Sequence, residues 1–193
     1  MMSRLDQQMA FLSEVDRLKS IMRATTLCDG SRMENSAEHS WHIALYALVL
    51  AEHSEAPLDI GKVIKMLLLH DIVEIDAGDA PVFGDHDVTA MALQEQAAAE
   101  RIFGLLPDDQ AHEFRALWEE FEANETPEAQ FAKSIDRMQP PMQNLASGGG
   151  SWIEYDVSYD RFAAQIGPKI NKGAPKIWAW LQPKVAAFFA ARD

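Results

Sequence analysis

The stretch LLLHDIVEIDAGDAP, residues 67–81, constrains this chain more than any other. Three leucines, Leu67–Leu69, run straight into five ionisable residues within ten positions: His70, Asp71, Glu74, Asp76 and Asp79. An apolar run of this kind buries itself and draws its neighbours inward. Buried carboxylates are costly unless a partner or a bound cation compensates them. At helical spacing Glu74 lies i+4 from His70 and i+3 from Asp71, so the three side chains share one face. Gly78 ends the helix and keeps Asp79 near the same region.

The rest of the chain reads as helix. Residues 4–22 carry Leu5, Met9, Leu12, Val15 and Leu18 at 3-to-4 spacing, and a polar, loop-like stretch, TTLCDGSRMENS, follows. Ser36 has the form of an N-cap three residues before His39, with an apolar helix running to about 54. The next helix starts at Pro57 and Asp59 and stops near Gly78–Pro81. Further helices are expected at about 88–104, 108–122, 127–145 and 174–190, the last broken or kinked at Pro183. SGGGS, 147–151, is the most flexible point and a candidate loop over the site. No alternating β-branched stretch, internal repeat or long linker stands out. The expected fold class is all-α, as a single domain over residues 1–193.

The 193 residues suffice for one sizeable core. One cysteine, Cys28, allows no internal disulfide, and the N-terminus lacks a signal-peptide apolar core, so a cytoplasmic protein is expected. No apolar run reaches membrane-spanning length. The net charge of −13 argues against a nucleic-acid polymer as partner, because phosphate backbones are held by cationic surfaces. For an anionic ligand, positive charge must come from a metal and one or two placed arginines. The apolar C-terminal segment WAWLQPKVAAFFA either packs on the bundle or forms a dimer contact.

An imidazole beside a carboxylate can share a divalent cation. His70 and Asp71 form such a pair, and ENSAEHSWH offers His39. In FAKSIDRM, Asp136 is an isolated carboxylate among apolar neighbours, which makes it a candidate fourth ligand.

The order His39, His70-Asp71, Asp136 resembles the H…HD…D pattern of the HD-domain superfamily of metal-dependent phosphohydrolases. RLKSIMR (17–23), RMENSAEHS (32–40), HDIVEIDAGD (70–79) and KSIDRM (133–138) look similar to its 5′-deoxynucleotidase branch. The match covers about residues 12–145, leaving a helical C-terminal extension at 150–193. The resemblance implies an HD-domain helical bundle with one divalent ion (manganese, cobalt, iron, zinc or magnesium) on His39, His70, Asp71 and Asp136. It implies removal of phosphate from a nucleoside 5′-monophosphate, with a deoxynucleotide preferred, by a protein that is often a homodimer. Arg23 corresponds to the family's phosphate-binding arginine. Glu74 is the candidate to orient and deprotonate the attacking water, and Asp79 is either a second acid/base or a sugar-contacting carboxylate.

One departure concerns the sugar. In the deoxynucleotidases a tryptophan follows the phosphate-binding arginine and helps to select deoxyribose; here Ala24, Thr25 and Thr26 follow Arg23. Two other readings keep the fold. A two-metal phosphodiesterase, nucleoside polyphosphate hydrolase or di-iron oxygenase would need extra metal histidines, for which His86 and His112 are available. A non-catalytic nucleotide-binding module would have no use for a water-activating carboxylate. Among the remaining residues, His42 reads as structural or as support for the ligands and His53 as surface. Asp76, Asp85, Asp87, Glu95 and Glu100 are expected to face water, Trp118, Trp178 and Trp180 to pack between helices, and Trp41 to wall the pocket.

Overall fold

The computed structural model describes residues 2–192. Helix α1 (Arg4–Val15) is capped by Ser3 and is shorter than the periodicity predicts, tightening into a 3₁₀ turn over Asp16–Ser20. Its Leu5, Met9 and Leu12 stay exposed, while Phe11 and Leu18 enter the core. The chain then becomes extended. Strands β1 (Met22–Thr26) and β2 (Met33–Asn35) form an antiparallel hairpin where only loop was expected. The paired β-branched residues Thr25 and Thr26 favour extended backbone, but a two-stranded ribbon is too short to show as an alternating pattern. Its effect is to point Arg23, Thr25 and Glu34 inward.

Helix α2 (Ser36–Leu50) is capped by Asn35, not Ser36. Asn35 Oδ1 accepts from the Glu38 amide at 2.9 Å, and Glu38 answers on the Asn35 amide at 3.2 Å. Ser36 is thereby freed for the site. The helix expected from Asp59 to Gly78 divides into α3 (Ile60–Leu69), a 3₁₀ turn at His70–Val73, and α4 (Glu74–Ala77). The tighter turn moves each side chain about 120° around the axis instead of about 100°. Gly78, at φ 79°, then swings the backbone so that Asp79 faces back.

Helices α5 (Val88–Phe103), α6 (Asp108–Ala123) and α7 (Pro127–Ala146) agree with expectation. Pro140 and Pro141 lie inside α7 and remove the amides that would serve the carbonyls of Asp136 and Arg137. SGGGS is a tight turn and not a loose lid: Gly148, Gly149 and Gly150 all have positive φ. A Cβ at Gly150 would meet Asn144 Oδ1 at 2.4 Å. The last forty residues fold as α8 (Ser151–Glu154), α9 (Tyr159–Gln165), α10 (Gly167–Gly173) and α11 (Pro175–Ala190). Helix α11 runs through Pro183 without a break; the carbonyl deprived of its donor belongs to exposed Ala179, where water can take it. Ile177, Leu181, Val185 and Phe189 pack α11 on the bundle. Helix α10 docks so closely on α7 that a Cβ at Gly173 would stand 2.2 Å from the Gln130 carbonyl, and Ser134 Oγ bridges the two helices. No helix is long and apolar enough to cross a membrane among the described residues.

Candidate metal centre

Three elements meet around one buried point. His39 comes from the first turn of α2, His70 and Asp71 from the 3₁₀ turn, and Asp136 from the middle of α7. One ligand atom each from His39, His70 and Asp136 lies within 4.8 Å of the others. His39 Nε2 is 3.0 Å from Asp136 Oδ1, and His70 Nε2 is 3.9 Å from the same oxygen. Asp71, the fourth predicted ligand, stands outside that trio. Its Oδ1 is 2.8 Å from His70 Nε2, and its Oδ2 accepts from Arg23 Nη1 at 2.9 Å.

The tautomers show what this arrangement lacks. His70 Nδ1 donates to the Leu67 carbonyl at 2.8 Å, which leaves the Nε2 lone pair as the inward-facing group. That atom is buried and has no hydrogen-bond partner, although a carboxylate oxygen lies against it. His39 Nδ1 donates to Gln139 Oε1 at 3.0 Å. The amide is oriented by its own nitrogen, which donates to Glu34 at 2.9 Å. His39 Nε2 faces Asp136 Oδ1 at 3.0 Å; burial and the nearby Arg23 would lower the imidazole's pKa, but this hydrogen bond, with Glu34, raises it. The His70 lone pair aimed at a carboxylate oxygen is repelled by it unless a cation sits between them. The donor set of two nitrogens and up to two carboxylates suits a divalent ion and leaves coordination positions open.

Glu34 belongs to the site although its residue type and position gave no role. It is 1% exposed, and its Oε1 accepts from Gln139 at 2.9 Å and Gln143 at 2.7 Å. Its Oε2 lies 3.5 Å from His39 Nδ1 and 3.9 Å from Arg23 Nε. A carboxylate behind a ligating histidine fixes its tautomer and ring orientation. Glu34→Ala is expected to weaken divalent-ion binding about 10- to 100-fold, measured by calorimetric titration of the chelator-stripped protein; unchanged affinity would mean that Gln139 alone orients His39.

The remaining predicted residues gather at the rim. Arg23 is 9% exposed, and its Nη1 lies 3.4 Å from Asp79 and 3.8 Å from Glu74, besides its bond to Asp71. Glu74 Oε2 accepts from Ser36 Oγ at 2.6 Å. Burial, then the neighbouring Asp71 charge, lifts the Glu74 carboxyl well above the usual range against the pull of Arg23. Burial also raises Asp79, with Arg23 opposing and Asp71 adding to the rise. Burial would raise Asp71 too, but His70 and Arg23 reverse the shift and hold it low. Asp136 is held well below the ordinary range by Arg137 and His39 despite its burial.

A cavity of about 750 Å³ opens beside these groups, of a size that suits a nucleotide. Ala24 lines it, so no bulky side chain follows Arg23 at the wall. Tyr155 and Phe83 line it as half-buried aromatics. Glu95 lines it as well instead of facing water, and burial raises its carboxyl pKa. Trp41 is 61% exposed and is not part of the wall. His42 approaches Gln139 at 3.3 Å, a supporting position. Trp118 packs in the core as expected, whereas Trp180 is 48% exposed. His86 lines the cavity but stands outside the metal-ligand group, and His112 is exposed and does not line it. Asp76 pairs with Arg101 at the surface, and Asp87 caps α5.

A family model of the HD domain matches residues 15–178. The chain belongs to the HD domain family. A solved structure, that of a predicted metal-dependent phosphohydrolase from Magnetospirillum magnetotacticum MS-1, superposes on this HD domain protein with a TM-score of 0.90. It is 45% identical, over 97% of this chain and 96% of that one. Among curated relatives, the 5′-deoxynucleotidase HDDC2 of Homo sapiens is 28% identical over 134 residues, 69% of this chain and 64% of that protein. The chain thus matches somewhat less than two thirds of the human protein's length. The 5′-deoxynucleotidase of Yersinia pestis (strain Pestoides F) is 26% identical over 165 residues, 80% of this chain and 83% of that protein.

Proposed function

We propose that this HD domain protein is a metal-dependent phosphohydrolase that removes phosphate from nucleoside 5′-monophosphates, deoxynucleotides among them. The observation that carries the reading is the pair of imidazole nitrogens set against Asp71 and Asp136, that of His70 buried without a hydrogen-bond partner, beside a cavity whose rim holds Arg23, Glu74 and Asp79. The names of the similar proteins support it.

His39, His70, Asp71 and Asp136 would hold one divalent ion. When bound, the ion supplies Lewis acidity toward a phosphoryl oxygen and a water of lowered pKa. Arg23 supplies the cation for the phosphate. Its Nη1 is committed to Asp71, which leaves Nη2, without a hydrogen bond to a carboxylate among the described residues, as the donor to a phosphate oxygen. Glu74 is held by Ser36 through Oε2, so Oε1 is positioned to take a proton from the attacking water. Its raised pKa makes it a stronger base for that transfer than an ordinary carboxylate. Asp79, also raised, is assigned the acid that protonates the departing 5′-oxygen as the P–O bond breaks. Water adds to phosphorus, Glu74 gains its proton, and the nucleoside leaves with the proton of Asp79. Ala24 leaves room beside the sugar, so ribose and deoxyribose are expected to differ little.

The test is phosphate release from a panel of 5′- and 3′-mononucleotides, ribo and deoxy, by protein stripped with chelator and resupplied with manganese, cobalt or magnesium. Metal-dependent release from 5′-monophosphates supports the reading; metal binding without release from any monophosphate refutes it. A two-metal chemistry is disfavoured because only one group of potential ligands occurs among the described residues. The reading includes a homodimer, for which exposed Trp41, Leu45, Leu48 and Val49 on α2 and Trp180 on α11 offer an apolar surface. Light scattering is expected to return twice the 21.6 kDa chain mass, and a monomer mass would remove that part.

A further inference from the structure

The wall of the cavity runs past the proposed metal centre along α7. Helix α7 lays Lys133, Asp136, Arg137, Pro140 and Asn144 along the cavity wall. At about 1.5 Å rise per residue, Lys133 lies about 4.5 Å from Asp136 toward one end, and Asn144 about 12 Å toward the other. The Asn144 end carries the turn at 147–151 and β1, joined by Thr26 Oγ1 to Ser147 Oγ at 3.2 Å; Arg23 and Ala24 belong there. Lys133, on the other side of Asp136, and Arg137, next to Asp136, share the wall with Lys169 of α10. Close docking of α10 on α7, through Gly173 against Gln130 and Ser134 bonded to the Lys169 carbonyl, sets Lys169 there.

Two of these three cations have carboxylate partners and the third has none among the described residues. Lys133 pairs with Glu122 at 3.0 Å, and Arg137 Nε lies 3.3 Å from Asp136. Glu95 is the other carboxylate lining this part of the wall. Lys169 has no carboxylate within ion-pair distance among the described residues. Burial and the charges of Arg137 and Lys133 lower its pKa, as expected for an ammonium group crowded by like charges. In a chain of net charge −13, an ammonium left without a counter-ion beside two further cations on a cavity wall is a contact for an anion.

We propose that Lys133, Arg137 and Lys169 form an anion subsite that receives a second phosphoryl group of the substrate, on the side of the metal centre away from Arg23. The subsite rests on the phosphohydrolase reading for its neighbour, and implies that nucleoside diphosphates are held in preference to monophosphates.

The test compares binding of deoxyadenosine monophosphate and diphosphate by calorimetry in the presence of manganese, with phosphate release from the monophosphate followed in parallel. A diphosphate grips a metal better whatever the subsite contributes, so the deciding quantity is the change in the affinity ratio when Lys169 is replaced. Loss of one charge-assisted contact is expected to lower the ratio about tenfold in Lys169→Gln and further in Lys169→Glu. The exposed Lys184→Gln on α11 should leave it at the wild-type value. A ratio unchanged in Lys169→Glu overturns the subsite. Monophosphate turnover with that unchanged ratio would sink the subsite alone; a Lys169-dependent ratio without turnover would uphold it and sink the monoesterase reading.

Discussion

Arg23→Ala is expected to destabilise the metal-free chain by about 3–5 kcal/mol, because it removes one partner of a buried ion network. Its guanidinium is the cation shared by Asp71 at 2.9 Å, Asp79 at 3.4 Å, Glu74 at 3.8 Å and Glu34 at 3.9 Å, all in a nearly solvent-free space. The four side chains are at most 12% exposed, so water cannot replace the lost charge. For a chain of this length the melting temperature should fall on the order of 10 °C. Denaturant unfolding in chelator measures the change. Manganese should restore part of the loss, because the same carboxylates then face a bound cation. A loss below about 1 kcal/mol, the range of solvated surface pairs, would mean that the network is hydrated and that Arg23 is not its keystone.

The second large effect separates activity from stability. Glu74→Gln is expected to lower kcat by about 10²- to 10⁴-fold, the usual contribution of a positioned general base. The same substitution should stabilise the metal-free chain. Burial and Asp71 raise the Glu74 pKa above its unfolded value. An acid shifted in that direction disfavours the folded state increasingly as pH rises from the unfolded toward the folded pKa, and fully above both. Glutamine carries no such penalty, so the wild type should lose stability over that window relative to the variant. Thermal melts from pH 4 to 8 in chelator test this, beside steady-state kinetics with metal. Full activity in Glu74→Gln would remove the residue from proton transfer; a less stable variant at pH 8 would mean that the Ser36 hydrogen bond outweighs the charge repulsion.

The helices that carry the proposed ligands were legible because their periodicity is local: α2, α5, α6 and α7 lie within a few residues of expectation. His39, His70 and Asp136 were legible as candidate ligands from residue type and setting, and the resemblance joined them into one site, since a pattern spread over about a hundred residues has no local signal. What was missed depends on distant partners. Glu34 is buried because Gln139 and Gln143, more than a hundred positions away, donate to it, and nothing in MEN announces that. The β1–β2 hairpin is too short to show alternation. The 3₁₀ turn at His70–Val73 hides inside a sequence with good helical spacing, and it alters how His70 and Asp71 are aimed without altering which residues meet. Glu95 was expected to face water until the packing of α5 placed it in the cavity wall. Trp41 erred the other way: a tryptophan two residues from a ligand lies on the opposite face of its helix, in solvent.

The most direct test of the central claim is phosphate release from deoxyadenosine 5′-monophosphate as manganese is titrated into the chelator-stripped protein. The account predicts no release before addition and a rate that rises to a plateau at one equivalent per chain, with no such plateau in Asp136→Ala. Release that is independent of metal, or a wild-type rate in Asp136→Ala, would contradict it.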